Sequence, residues 1–204
     1  MIAVTNGLDL RGHYRIQESI SNRYPVSVSM TIGTDSSPAK ALSTASQKLQ
    51  NVGSAQDSDR IGVLRGETID QDVRNDTDLE IAHFDIINMT VNRTDKNDEY
   101  SSMLTVQECY LSLALYLYQN TGSLTFFVGG DNFISLCPFL SRNKYQDAID
   151  HVYNRVGVRL RVGVGTGKTA DIAGMDAKEA LEHCRETQKQ ICQHSSKRNL
   201  NATS

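Results

Sequence analysis

Asp131 is the first position at which the residue types of this sequence suggest chemistry. It lies in the run Gly129-Gly130-Asp131-Asn132, between apolar segments at residues 124–128 and 133–136. Short runs of branched and aromatic residues around a glycine pair predict a β-hairpin with the aspartate at its tip. Gly, Asp and Asn are also ordinary turn residues, so Asp131 alone does not distinguish a turn from a cation site.

A second aspartate, Asp85, favours the cation site. It lies near the end of the strand-like run Leu79–Ile86, among apolar neighbours. A carboxylate in such surroundings has to be paired or bound to a metal. If the two strands are neighbours, Asp85 and Asp131 come within roughly 5 Å of each other, and a cation is needed between them. Mg²⁺ prefers a few carboxylates together with phosphate oxygens, so Asp85 and Asp131 are predicted catalytic and metal-binding residues.

The elements around these aspartates form a repeat. When the chain is shifted so that Met1 falls on Phe133, Asn22-Arg23 falls on Asn154-Arg155 and Gly33-Thr34 on Gly165-Thr166 without a gap. The order of elements agrees as well: each copy has a strand, a polar helix, an alternating strand and then an alanine-rich helix. Two copies of a βαββαβ unit explain this pattern, which predicts an α+β protein with tandem ferredoxin-like domains.

The second copy is predicted at residues 78–193, followed by a polar tail at 194–204. Its elements are a strand over 79–86, a helix over 98–119 that ends at Gly122, the hairpin, a helix from Ser141 to Arg155, a strand over 158–162 and a closing helix over 177–191. The buried helix faces are expected to carry Leu111, Leu115 and Tyr118 in the first helix, and Ala148, Ile149 and Val152 in the second.

The first copy is predicted to be incomplete and to occupy residues 1–56, with a linker at 57–77. Residues 1–4 align with the strand that follows Asp131, so the first copy begins within the unit. By the same offset we expect about 54 further residues before Met1, which would carry the first copy's own Asp hairpin.

The composition excludes several classes of protein. The chain has 204 residues, of which 39% are hydrophobic and 22% charged, and a formal net charge of −3. These values predict a globular protein without the basic surface that nucleic-acid binding requires. No apolar run is long enough for a membrane span and no signal peptide is recognisable, so we expect a cytoplasmic protein. The four cysteines contain no Cys-x-x-Cys pair and no histidine at zinc spacing, which predicts reduced thiols and no zinc site.

Three further residues near the predicted site are ambiguous. Lys168 follows a glycine-rich run that lacks the first glycine of a phosphate loop, although its amine could still contact a triphosphate. Arg161 is expected on the solvent face of an alternating strand. His83 shares the face of Asp85 and could act as a base, but a hydrogen-bonded core histidine is the favoured interpretation.

The strand with Asp85, the following helix and the Gly-Gly-Asp hairpin together resemble the palm domain of nucleotide cyclases and GGDEF proteins. That resemblance implies that Asp85, Asp131 and the backbone carbonyl of Ile86 hold Mg²⁺ on a nucleoside triphosphate. The backbone after Asp85 (Ile86, Ile87 and Asn88) and the hairpin residues Gly129, Gly130 and Asn132 would bind the nucleotide, with Lys168 as a further contact. Asn132 stands where GGDEF cyclases carry Glu.

Longer runs resemble the archaeal GTP cyclohydrolase III family specifically. They are Ala3-Val4-Thr5-Asn6-Gly7, residues 15–30, Gly53-Ser54-Ala55-Gln56, Phe84-Asp85, the hairpin, and Val162-Gly163-Val164-Gly165. The resemblance implies a Mg²⁺-dependent hydrolase that opens the imidazole ring of GTP and releases phosphate. The product would be a formylaminopyrimidine ribonucleotide monophosphate, a precursor in flavin or deazaflavin synthesis. A homo-oligomer is expected. The alternatives are a nucleotidyl cyclase and a non-catalytic nucleotide-binding module.

Overall fold

The computed structural model describes residues 1–54, 56–69, 78–87 and 98–195. The chain separates into two compact units, Met1–Thr77 and Asp78–Ser204. None of the helices in the described ranges has the length and apolar character that crossing a membrane would require.

The first unit is small. It contains helix α1 (Leu10–Arg23), strand β1 (Met30–Ile32), helix α2 (Pro38–Gln50), a short 3-10 helix (Ser58–Arg60) and strand β2 (Leu64–Gly66). Strands β1 and β2 pair in parallel. The polar helix, the short strand and the alanine-rich helix lie in the predicted order. The strand predicted at residues 1–4 is wrong: these residues are exposed and unpaired with any strand in the described part of the chain.

The second unit contains a five-stranded sheet. Its elements are β3 (Leu79–Ile86), α3 (Glu99–Thr121), β4 (Leu124–Gly129), β5 (Asn132–Cys137), α4 (Arg142–Val156), β6 (Leu160–Gly167), α5 (Ala170–Thr187) and β7 (Ile191–His194). The strand order is β4-β5-β3-β6-β7, and only β6 and β7 are parallel. The first six elements follow the predicted βαββαβ order, with β3 between β5 and β6.

The two faces of this sheet bury different sets of residues. On one face Phe84 and Val162 pack with α3 and α4 in the main core, together with Ala148, Ile149 and Val152, which are fully buried as predicted. On the other face Ile81 packs against alanines of α5. This close packing is possible because β6 carries glycines there. A Cβ at Gly163 or Gly165 would overlap the backbone of α5.

The buried face of α3 differs from the prediction. Leu111, Leu115 and Tyr118 are exposed, whereas Leu113 and Leu117 are fully buried. The helix is apolar on nearly every side, so periodicity could not identify the inner face. Its ends are as predicted: Asp98 accepts a hydrogen bond from Ser101 N, and Gly122 ends the helix in the left-handed conformation.

The last elements are shifted relative to the prediction. The strand expected over residues 158–162 is Leu160–Gly167 and is buried on both faces. The closing helix begins at Ala170 and ends at Thr187, and residues 191–194 form the edge strand β7. The Thr169 side chain accepts a hydrogen bond from Ile172 N, which fixes the earlier helix start.

The prediction of reduced thiols is wrong for two cysteines. Cys184 of α5 and Cys192 of β7 form a disulfide, while Cys109 and Cys137 are buried thiols outside that disulfide. The pairing joins two neighbouring elements across a short loop, a relationship that cysteine spacing alone does not reveal.

Candidate active site

Asp85 lies near the end of the central strand β3, and its side chain is buried. Its neighbours in the sheet are Asn132 on β5 and Arg161 on β6, so strands β3 and β5 lie side by side as expected. Only 4% of Asp85 is exposed. The carboxylate oxygen Oδ1 is buried and has no hydrogen-bond partner among the described residues. Such an oxygen is unfavourable without a donor or a cation.

Two arginines neutralise the other oxygen of Asp85. Arg185, near the end of α5, approaches Oδ2 with Nε at 2.8 Å and Nη2 at 2.7 Å. The Arg161 Nη1 atom lies 3.7 Å from the same oxygen. The expectation that Arg161 faces solvent is wrong, because α5 covers this face and leaves only 9% of the residue exposed.

Arg185 also interacts with other acidic residues. Its Nη1 lies 2.7 Å from Glu182 Oε1. Burial lowers the pKa of Arg185, but the hydrogen bond and charge of Asp85, with Glu182 and Asp131, raise it more, so the net shift is upward. A guanidinium therefore pairs with Asp85, and its charge interacts more weakly with that of Asp131.

Asp131 is connected to His83 through Asn132. Asn132 Nδ2 donates to Asp131 Oδ1 at 2.9 Å. Asn132 Oδ1 lies 3.1 Å from His83 Nε2 and accepts a hydrogen bond from it, since a carbonyl oxygen can only accept. The order His83, Asn132, Asp131 makes the asparagine a polar link between a base and an acid.

The surroundings of the His83 imidazole favour its neutral form. Burial lowers its pKa below the usual value, against the opposing effects of the Asn132 hydrogen bond and the Asp85 charge. The partner at Nε2 agrees with the interpretation of a hydrogen-bonded histidine. It also leaves Nδ1 as the acceptor nitrogen.

The hairpin forms as predicted, with Gly129 opposite Asn132. Gly129 and Gly130 have φ values of 113° and 61°, a region that residues with side chains adopt rarely. Residues with a Cβ would strain this turn, so the glycines shape the loop that presents Asp131.

The remaining residues that were predicted to bind the nucleotide have different surroundings. Ile86 is buried in β3, and Ile87 N already donates to Arg159 O at 2.9 Å. Asn88 falls outside the described residues. The Lys168 amine pairs with Asp78 Oδ1 at 2.8 Å, at the end of β6 opposite Arg161.

The donor set fits a divalent cation in part. The buried Oδ1 atom of Asp85 is an acceptor that a cation would satisfy, and Asp131 lies on the adjoining turn. Sequence reasoning missed Arg185, which is 100 positions from Asp85. No local motif around it signals a site, and only the covering position of α5 brings it there.

Comparisons with known proteins agree with one another. A family model described as GTP cyclohydrolase III matches residues 1–197. GTP cyclohydrolase III of Natronomonas pharaonis is 53% identical over 186 residues, which cover 91% of this chain and 74% of that protein. GTP cyclohydrolase III 1 of Halobacterium salinarum is 52% identical, covering 91% of this chain and 73% of that protein.

Among solved structures, the active GGEEF domain of a diguanylate cyclase from Vibrio cholerae is similar with a TM-score of 0.49. It is 12% identical, and the match covers 61% of this chain and 87% of that one. A likeness at this level carries no functional argument.

Proposed function

The chain belongs to the GTP cyclohydrolase III family, and we propose that it opens the guanine imidazole ring of GTP at the site around Asp85. The reaction releases phosphate and leaves a formylaminopyrimidine ribonucleotide 5′-phosphate. The triphosphate binds at the end of β3, beside the glycine hairpin.

The observation that carries this proposal is the buried Asp85 carboxylate between two guanidinium groups. Its Oδ1 atom lacks a partner among the described residues, while Arg185 and Arg161 lie near Oδ2. An unsatisfied anionic oxygen next to cations can accept a metal ion and face phosphate oxygens at the same time. A purely structural ion pair gains nothing from leaving Oδ1 unsatisfied.

We assign Mg²⁺ to Asp85, the carbonyl of Ile86 and Asp131. When bound, the ion supplies charge neutralisation of the triphosphate and polarisation of the attacked phosphorus. Arg185, whose side chain is 39% exposed, can turn from Asp85 towards phosphate oxygens. Arg161, with a side chain 10% exposed, stays beside Asp85 and offsets part of its charge.

The neutral His83 is the acid–base group of this arrangement. Its Nε2 proton is held by Asn132, and Nδ1 can accept a proton. Because Asn132 also donates to Asp131, the imidazole orientation and the hairpin carboxylate are fixed together. Asn132 thus positions His83, a role that requires both the amide oxygen and the amide nitrogen of its side chain.

Turnover of GTP with Mg²⁺ in Asp131→Asn tests the proposal. Asp131 lies on an accessible turn, so the fold should persist. We expect at least about a 100-fold loss of rate, since a metal contact is worth several kcal/mol and each 1.36 kcal/mol is about tenfold. Asp147→Asn, an exposed acid on α4, is the matched control. Equal turnover in both variants would remove Asp131 from the site.

A further inference from the structure

Three potential metal ligands converge at the edge of the second unit, away from Asp85. They are Asp176 and Glu179 on α5 and His194 at the end of β7, and their ligand atoms all lie within 4.8 Å of one another. Asp176 is fully buried, whereas Glu179 and His194 are exposed. His194 Nε2 lies 3.6 Å from Glu179 Oε2.

The fold brings these side chains together from two elements. Asp176 and Glu179 are three residues apart on α5, and such residues are neighbours on one helix surface. His194 is in register with Gly165 of β6, and a Cβ at Gly165 would overlap the Ala177 backbone of α5. The missing side chain at Gly165 therefore lets α5 approach the strand next to His194.

The disulfide fixes the two elements independently of the cluster. Cys184 and Cys192 join α5 to β7, and Ala180 packs with them. Asp176, Ala180 and Cys184 are four residues apart, on one stripe of the helix. Cys192 and His194 are two positions apart on β7, so their side chains lie on the same face of the strand. The two elements that carry the ligands are thus held together before any ion binds, which lowers the entropy cost that binding has to offset.

We propose that Asp176, Glu179 and His194 form a binding site for a divalent transition-metal ion of the Zn²⁺ class. One imidazole nitrogen and two carboxylate oxygens are ligands that Zn²⁺ accepts, and water completes the coordination at the exposed side. A single imidazole with two carboxylates favours Zn²⁺ over Mg²⁺, which prefers an all-oxygen octahedral shell. The spacing rule that excluded zinc concerned the cysteines, none of which is a ligand here.

The ion would have a structural role. Among the residues that the structure describes, strand β7 is at the edge of the sheet and pairs only with β6. A metal between His194 and α5 secures the end of that strand, next to the disulfide that secures its middle. Asp176 and Arg185 are nine positions apart along α5, a rise of about 13.5 Å, so this site is distinct from the one at Asp85.

Zinc titration of the full chain by calorimetry tests the site, in non-reducing buffer with excess MgCl₂ in cell and syringe. The MgCl₂ occupies sites that accept Mg²⁺. We expect one equivalent of ZnCl₂ to bind and to raise the thermal midpoint of unfolding. His194→Ala and Glu179→Gln should each weaken binding at least about 10-fold, the lower limit for losing even an outer-shell partner.

His183→Ala is the matched control, because His183 is an exposed histidine of the same helix outside the cluster. It should bind zinc as the unaltered chain does. Equal zinc affinity in His194→Ala and in His183→Ala would overturn the proposal, as would the lack of stoichiometric binding in the unaltered chain. The latter result would leave Glu179 and His194 as an ion pair only.

Discussion

Replacing Asp85 by Asn removes one negative charge and keeps the size and an acceptor atom of the side chain. The Asp85 side chain is 6% exposed, and its Oδ2 atom faces Arg185 at 2.7 Å and Arg161 at 3.7 Å. The substitution therefore leaves two guanidinium groups beside a neutral amide. We expect the free energy of unfolding to fall.

The size of that loss follows from the exposure of the two arginines. Breaking a buried ion pair by removing one partner costs about 3–5 kcal/mol. The Arg185 side chain is 39% exposed, so water recovers part of its solvation, but the Arg161 side chain is only 10% exposed. We therefore expect the lower end, about 3 kcal/mol. At about 2–4 °C per kcal/mol for a chain of this length, the midpoint should fall by about 6–12 °C.

Denaturant unfolding of Asp85→Asn and Asp78→Asn measures this difference without added metal. Asp78 is the matched control, because its carboxylate pairs with Lys168 and its side chain is 44% exposed. An exposed pair contributes about 0–1 kcal/mol, so Asp78→Asn should be nearly neutral. Equal losses in the two variants would refute the electrostatic reasoning. A gain in stability for Asp85→Asn would show that the buried charge is kept for binding alone.

Three further variants test other parts of the structure. Tyr145→Phe removes the 2.7 Å hydrogen bond to Glu80, a carboxyl group whose pKa is already raised by burial. We expect the free energy of unfolding to fall by about 1–3 kcal/mol, and to fall more at pH 7 than at pH 4.5. A loss that does not depend on pH would contradict this. The pKa of His83 is lowered in the folded state, so the folded state binds fewer protons and the free energy of unfolding falls as the pH drops below 6.5. His83→Gln should weaken this pH dependence, and an unchanged pH dependence would exclude His83 as its source. Gly163→Ala should destabilise the protein by about 1–3 kcal/mol, because the added Cβ overlaps α5. Gly174→Ala should be neutral or stabilising, because its Cβ would meet Ile81 Cδ1 at 3.9 Å. A larger loss of thermal stability in Gly174→Ala than in Gly163→Ala would refute the packing of α5.

Much of the second unit could be predicted because its signals are local. The glycine pair with flanking apolar runs predicted the hairpin, and a carboxylate among apolar residues identified Asp85. The neighbouring position of strands β3 and β5 followed from the βαββαβ order. For the hairpin and for Asp85 a few adjacent residues were sufficient, since turn chemistry and strand burial depend on the nearest neighbours.

Most of the remaining features depend on helix α5, because no local pattern in the sequence predicted that it packs on β6. Alternation around Arg161 indicated a half-exposed strand, but α5 packs on the glycines of β6 and buries that face. The same helix carries Arg185 to Asp85 across 100 positions of sequence. In α3, leucines on all sides made the inner face indistinguishable from the outer one. These are tertiary effects that override local periodicity.

The product that the full chain forms from GTP distinguishes opening of the imidazole ring from the alternative reactions. The full chain is incubated with Mg²⁺ and GTP labelled with carbon-13 at guanine C8, and the products are followed by NMR and mass spectrometry. The account predicts that the label stays on the nucleotide as a formyl group, with phosphate released and no labelled formate. Cyclic or dinucleotide products with pyrophosphate, or GTP that binds and remains intact, would contradict it.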